Sequence, residues 1–363
     1  MGSRRRLSRE DYSVGWVSAL PVELAAARLM LDEQHQNLDQ DRNDPNLYTL
    51  GRIGDHNVVI VCLPAIGNNS AAAVVTQMKS TFPSIRFGLM VGIGGGVPSE
   101  EADIRLGDVV VSDPCKGLGG VVQFDFGKAT PGGFERTGFL NAPPMILLNA
   151  TCTIRANEFI GKSSLPKYLS KFGNVSAFKR EKAGLDMLFY ASYDHAGGLT
   201  CGSCNKEMVE DRELREDQEV VVHYGTIASG NQVIKDAMTR DILSSELGGV
   251  LCFEMEAAGV MNNFPCLVIR GICDYADSHK NNNWQPYAAS TAAAYAKEVL
   301  LVIHGSEVAI MPTVGQSMAR ERAVVNGPIG NQSGTTRVKF GSNNCGLQVG
   351  VNEGPLNVSF GGR

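Results

Sequence analysis

Two carboxylates stand one residue apart in Phe253-Glu254-Met255-Glu256-Ala257-Ala258-Gly259, and a third, Asp274, closes the run Cys266-Leu267-Val268-Ile269-Arg270-Gly271-Ile272-Cys273. The first pair opens an apolar stretch expected to be helical, and Asp274 falls where a strand should end. Such an arrangement suits two tasks. Glu256 is suited to accept hydrogen bonds from both hydroxyls of a ribose, while Met255 offers an apolar surface to a sugar face that becomes planar and cationic. Asp274 is suited to protonate a purine nitrogen. Breaking an N-glycosidic bond leaves positive charge on the sugar and negative charge on the base, so an acid at the base is the main catalytic need. Holding that proton near neutral pH calls for burial, expected here from Ile272, Cys273 and Tyr275. Taken singly, Glu-x-Glu reads equally as a solvated helix face and Asp274 as a strand-end cap. The joint pattern favours chemistry.

These segments resemble the nucleoside phosphorylase and nucleosidase superfamily, the purine nucleoside phosphorylase and uridine phosphorylase-like domain, whose members share a Glu-Met-Glu ribose motif and a strand-end aspartate acid. The resemblance continues in Val14-Gly15-Trp16-Val17-Ser18-Ala19-Leu20-Pro21-Val22-Glu23, which looks like the family's opening strand and helix. Val91-Gly92-Ile93-Gly94-Gly95-Gly96-Val97 and Leu106-Gly107-Asp108-Val109-Val110-Val111-Ser112 look like its glycine-rich turn and next strand, and Gly225-Thr226-Ile227-Ala228-Ser229-Gly230-Asn231 like its base-binding segment. It covers about residues 11 to 303, in order. More narrowly, the chain is similar to the fungal version of the domain, which is often joined to nucleotide-binding, NLR-like immune-type receptors.

The resemblance implies a phosphorylase-like α/β fold, a three-layer sandwich whose central mixed, partly barrel-like sheet is flanked by helices. It implies substrate contacts from Glu254, Met255, Glu256, Gly94, Gly95, Ser229 and Asn231. An aromatic often stacks on the purine just after the Ser-Gly-Asn turn, but this chain has Val233 there, so backbone groups around Val233 and Ile234 are left to read the purine edge. Trp284 falls where the family closes an aromatic over the 5′ side of the sugar; a packing anchor is the other role of such a tryptophan. Neighbouring subunits in the family often complete one another's pocket, which makes a homo-oligomer the expectation. Phe124 and Phe126 are assigned to that contact or to the core.

Phosphorylases and hydrolases differ in what holds the nucleophile. An arginine three residues ahead of a serine marks the phosphorylase branch, and Met90 and Ile93 occupy those positions. After the first strand the chain carries Glu23, as the hydrolase branch does, and Glu23 becomes the candidate general base. A carboxylate about 4 Å from a phosphate would repel it by roughly 4 kcal/mol per charge pair at an effective dielectric near 20. Water is therefore the expected nucleophile. Arg270, inside an apolar strand, must find a carboxylate, either Glu23 or Glu256. The reading is a purine nucleoside N-ribohydrolase yielding free base and ribose, with no cofactor and no metal. A phosphate-dependent phosphorylase, an AMP nucleosidase and a non-catalytic nucleoside-binding module are the alternatives. A 5′-phosphate would need a cation, for which Arg105, Arg136, His279 and Lys280 are available.

Short β-branched runs such as Val58-Val59-Ile60-Val61 alternate with alanine-rich stretches, Ser70 to Met78 and Ala288 to Ile303, which by itself predicts α/β with a mixed, largely buried sheet. The 363 residues are 43% hydrophobic, enough for one substantial core, and the net charge of −5 gives no reason to expect nucleic-acid binding. Met1 to Glu10 is basic with no apolar stretch after it, Arg6 spoils a myristoylation signal, and no apolar run is long enough to span a bilayer. Nine cysteines, an odd number scattered through apparent core strands, fit a reducing compartment, so the cytoplasm is the expected location. Cys201-Gly202-Ser203-Cys204 has the spacing of half a zinc site or of a redox motif, with His195 upstream but no second pair. A flexible insertion over 186–219 is the preferred reading there.

Domain boundaries are expected at 1–10 (basic extension), 11–305 (catalytic), 306–323 (linker) and 324–363 (Gly/Asn-rich tail). Residues 340–357 resemble the amyloid-signalling motifs of fungal receptor and effector pairs, since asparagine ladders with alternating apolar residues stack in cross-β form. An NLR-like receptor is the partner this implies; an unstructured linker is the alternative reading.

Overall fold

The computed structural model describes residues 4–198, 200–215 and 220–325. The alternation read from the sequence becomes, in chain order, β1 (Val14–Ser18), α1 (Pro21–Met30), β2 (Glu33–Gln34), β3 (Tyr48–Ile53), β4 (His56–Cys62), α2 (Asn68–Thr81), β5 (Phe87–Gly96), β6 (Val109–Ser112), β7 (Val121–Gln123), β8 (Gly127–Thr130), β9 (Gly133–Arg136), α3 (Met145–Phe159), α4 (Leu165–Leu169), α5 (Arg180–Ala183), β10 (Val222–Gly225), β11 (Ile227–Ser229), α6 (Ala237–Glu246), β12 (Cys252–Glu254), β13 (Cys266–Asp274), α7 (Gln285–Val302), α8 (Gly305–Ile310) and α9 (Val314–Val325). Among the described residues no single helix is long and apolar enough to cross a membrane.

The main sheet follows the order β10-β6-β13-β5-β1-β4-β3-β2, with β12 added to β5, β11 to β12 and β7 to β11, while β8 and β9 form a separate hairpin. It is mixed, as expected. β1 runs parallel to β4 and β5, and β5 parallel to β13, whereas β6 is antiparallel to β13 and β12 antiparallel to β5. Among the described residues the sheet branches and does not close into a barrel. The branch arises because β5 outlasts β1: Phe87 to Met90 pair with β1, and further on Gly95 and Gly96 pair with β12.

Side-chain alternation along β1 divides the core in two. Val14 and Trp16 join one buried cluster with α1, α3 and α7, and Val17 joins another with α2. The alanines of α7, from Ala288 to Ala296, are nearly all buried and let that helix lie close on the sheet. Both clusters hold large side chains with no exposure, Trp16 and Phe87 in the first and Tyr12 and Met78 in the second, and cutting Trp16 or Phe87 to alanine costs about 3–5 kcal/mol.

The compact unit runs to Ala319, beyond the boundary expected at 305. Val308 and Val314 are buried in its core, and Arg86 donates to the Met311 carbonyl, so the first part of the expected linker is helical and packed. Residues from 326 onward, including the 340–357 run, lie outside the described part of the chain.

Candidate active site

At the ends of β1, β5 and β13 a cavity of about 330 Å³ opens, lined by Ala19, Leu20, Glu23, Ile66, Ile93, Gly94, Gly95, Gln232, Val233, Ile234, Lys235, Phe253, Glu254, Met255, Glu256, Cys273, Asp274, Ala276, Lys280 and Gln285. Ligand sites in α/β sheets collect at such strand ends. Nine of the thirteen expected site residues are in this wall: Glu23, Gly94, Gly95, Val233, Ile234, Glu254, Met255, Glu256 and Asp274.

Glu23 sits on the first turn of α1, which Pro21 starts. Its Oε2 accepts from the backbone N–H groups of Ala19 (2.6 Å) and Leu20 (2.9 Å), and its Oε1 from that of Ile93 (2.9 Å). Burial raises its pKa, against the opposing pull of Arg270 and those three donors. Gly92 makes the approach possible: a Cβ there would lie 2.5 Å from Arg270 Nη1 and 2.6 Å from Glu23 Oε1.

The Glu254 segment departs from the helix expected of it. Glu254 ends β12, and only a single 3-10 turn, Ala257–Gly259, follows. The Glu254 carboxylate accepts the N–H groups of Glu256 (3.1 Å) and Ala257 (3.0 Å), which fixes a tight turn in place of a helix and turns Met255 and Glu256 toward the cavity. Arg270 Nη2 donates to Glu254 and, at 3.3 Å, to Glu256 Oε2. The expected partner pair is thus half corrected: Glu256 is a partner, and Glu254 stands where Glu23 was the other candidate. Arg270 itself lies behind the wall, 1% exposed. Burial first, then Glu254 and Glu23, pushes the Glu256 pKa up to about 7 despite Arg270.

Asp274 owes its aim to an irregularity. The register of β13 against β5 shifts between Ile272 and Asp274, setting Asp274 opposite Gly95, and such a bulge re-aims a side chain. Two residues on, Ala276 takes φ +51°, a left-handed conformation that non-glycine residues seldom adopt. Asp274 Oδ1 accepts the Ala276 N–H (3.0 Å), while Oδ2 receives the Cys273 thiol (3.0 Å) and the Lys280 ammonium (2.8 Å). Lys280, a phosphate candidate in the sequence, therefore meets the proposed acid.

Four expected residues are not in the wall. Ser229 Oγ accepts the Ala258 N–H (2.9 Å) and donates to Asn68 Oδ1 (3.3 Å); Asn231 Oδ1 accepts the Asn68 N–H (3.1 Å). Both fix the start of α2, where the Gly67 N–H reaches Glu256 Oε1 (3.3 Å), so they position Glu256. Arg270 is the third. Trp284 is the fourth and is corrected from sugar cover to packing anchor: 1% exposed, it lies against Cys273 and Ala288 with the Arg180 guanidinium 4.1 Å over its ring. The helix that it precedes carries Gln285 into the wall instead.

Several contributors escaped the sequence reading. Phe253 faces the cavity one residue before the Glu-Met-Glu motif, with Phe124 edge-on behind it at 5.5 Å, so Phe124 is core. Phe126 is exposed. Lys235 and Gln232 follow the Ser-Gly-Asn turn whose exposed Val233 replaces an aromatic. Arg105 binds Asp103 and the Glu213 carbonyl, Arg136 lies on the exposed β9, and His279 stacks on Phe189, which removes all three from the cavity. The described part of 186–219 is packed, with Phe189 buried and Arg212 bound to Asp186.

A nucleotide-binding leucine-rich repeat (NLR)-like protein of Hyaloscypha variabilis is 50% identical over 303 residues, which are 83% of this chain and 30% of that protein. ATP nucleosidase Cap17 of Escherichia coli is 26% identical over 297 residues, 79% of this chain and 51% of the enzyme. The chain thus spans between about a third and a half of these relatives' length. In fold it is similar to the futalosine hydrolase of Helicobacter pylori strain 26695 (TM-score 0.53, 17% identity, 81% of this chain and 99% of that one). It is similar also to 5′-methylthioadenosine/S-adenosylhomocysteine nucleosidase of S. pneumoniae (TM-score 0.52, 19% identity, 80% and 100%). Residues 14–304 match the Phosphorylase superfamily, and the chain belongs to that family.

Proposed function

We propose that the chain is an N-glycosidase that cleaves a purine nucleoside with water to free base and ribose. One observation carries the reading: Glu23, Glu256 and Asp274 line a single cavity whose wall, among the described residues, contains no arginine. At the two positions that mark a phosphate site, Met90 is buried and Ile93 offers its N–H to Glu23. Relatives named as nucleosidases, Cap17 and a death domain-containing ATP nucleosidase of Amphimedon queenslandica among them, support hydrolysis.

Three backbone donors fill three of the roughly four acceptor positions on the Glu23 carboxylate, leaving one to take a proton from water. Glu256 accepts the ribose hydroxyls. The acidic cluster of Glu23, Glu254 and Glu256 around a single arginine favours positive charge developing at the sugar carbon. Asp274 delivers a proton to the base as the C–N bond breaks, and Lys280 must leave Oδ2 before that oxygen carries the proton. Water attacks the anomeric carbon, its proton passes to Glu23, and base and ribose depart.

A 5′-phosphorylated substrate is the second reading, favoured by Lys235 and Lys280 in the wall and by the ATP nucleosidase relatives. Purified protein given inosine, guanosine, adenosine, AMP and ATP, each with and without phosphate, tests both. Free base with ribose, ribose 5′-phosphate or ribose 5′-triphosphate, according to the substrate, released without added phosphate supports the proposal; a 1-phosphorylated sugar formed only with phosphate refutes it. The half-identity to an NLR-like protein supports a role as the output of a receptor of that type, and exposed Phe126, Phe134 and Phe139 support self-association. Sedimentation of a Phe126→Ser variant tests the latter.

A further inference from the structure

We infer that His195, Cys201 and Cys204 form a zinc site that ties the inserted segment to the turn carrying Lys280. One ligand atom from each lies within 4.8 Å of the other two. Ligands at 2.0–2.3 Å in a tetrahedron stand roughly 3.5–3.8 Å apart, so a contraction of about 1 Å closes the set around an ion. Two thiolates and an imidazole select zinc among abundant divalent cations, since magnesium and calcium prefer oxygen donors.

The surroundings suit a structural ion. Cys204 is buried, and Cys201 and His195 are partly so. Water is the candidate fourth ligand. Beside the cluster, His279 is 7% exposed and its Nε2 has no hydrogen-bond partner. Its ring centroid is 5.5 Å from that of His195, and the Cys201 thiol points to its carbonyl at 3.8 Å. The His195 Nδ1 accepts the Gly197 N–H (3.0 Å); an ion at Nδ1 replaces that bond, and one at Nε2 leaves Nδ1 with the ring proton and ends it. On binding, each thiol gives its proton to solvent and no group changes oxidation state.

The ion would act at a distance on the cavity. The His195 N–H donates to Ser278 Oγ (3.0 Å), Phe189 stacks on His279 at 3.9 Å, and Lys280 follows directly. Fixing the insertion therefore fixes the backbone from which Lys280 reaches Asp274. This makes the cluster a positioning element, with no contact to substrate.

The test uses the full chain purified under reducing conditions. Metal analysis is expected to find about one zinc per chain. Cobalt added to protein stripped by chelator is expected to give the visible and thiolate charge-transfer absorption of a tetrahedral sulfur site. Cys201→Ser/Cys204→Ser should lose both, and Cys152→Ser, on the exposed face of α3, should keep both. Chelation should lower Tm, and zinc should restore it. Absence of zinc together with no cobalt–thiolate band in the reduced protein overturns the inference, as does full zinc in the double variant. A Cys201–Cys204 disulfide that forms in place of metal binding also overturns it.

Discussion

Replacing Gly95 by alanine tests the claim that Asp274 is held at its working position by close backbone approach. The new Cβ would lie 2.7 Å from Asp274 Oδ1, 2.9 Å from Ala276 Cβ and 3.1 Å from Ala276 N. The first distance is roughly 0.7 Å inside van der Waals contact, so the carboxylate must move by about that amount. Ala276 cannot easily yield, because its left-handed φ and its N–H bond to Oδ1 both depend on the present geometry. A displacement near 1 Å costs about 10²-fold in rate, so kcat is expected to fall by roughly 10- to 100-fold. Base release followed by chromatography, alongside thermal unfolding, measures both sides. The decisive comparison is the double variant with Asp274→Asn. If Gly95 acts through Asp274, the alanine adds little to the loss already caused by asparagine. Full activity of folded Gly95→Ala, or losses that simply multiply in the double variant, would refute the reasoning.

Other outcomes follow from the same geometry. Glu23→Gln should lower kcat by about 10²–10⁴-fold, since an amide cannot take the water proton, and its NH2 must also face at least one of the three backbone N–H donors, so some loss of Tm accompanies it; stopped assays at saturating substrate and melting curves check the two effects. Lys280→Met should raise KM for AMP or ATP more than for adenosine if a 5′-phosphate is bound, and equal KM changes would remove Lys280 from phosphate recognition. For Glu256, whose folded pKa of about 7 lies above its ordinary 4.5, the folded state binds the extra proton between those values. Its contribution to stability is present below about 4.5 and lost as pH rises through about 7. Glu256→Gln should therefore gain Tm relative to the parent at pH 8 and not at pH 4, while the parent's KM should fall as pH rises through 7 and Glu256 ionises. Melting curves across pH settle the first expectation and initial rates the second.

The candidate catalytic groups were legible because the proposed reaction restricts residue type: a base near the nucleophile, an acceptor for ribose and an acid at the base leave few alternatives, and Glu23, Glu256 and Asp274 all line the cavity. The wall between them was less legible because the same residue types also serve as supports. Ser229 and Asn231 carry polar groups that suit a purine edge, yet their bonds go to Asn68 and the turn after Glu256. Trp284 shows the same ambiguity in an aromatic, since burial against Cys273 and cover of the sugar ask for similar side chains. The presence of an arginine within β13 announced a buried carboxylate, but its identity depended on topology: β12 joins the end of β5 only after β1 has stopped, and that branch delivers Glu254 to Arg270. Lys280 was only partly legible for a related reason. Its ammonium reads as a loop charge in the sequence, and only the chain reversal after the irregular end of β13 brings it back onto Asp274. Local spacing thus pointed to the candidate groups, while long-range strand order decided which side chains face the cavity and which hold those that do.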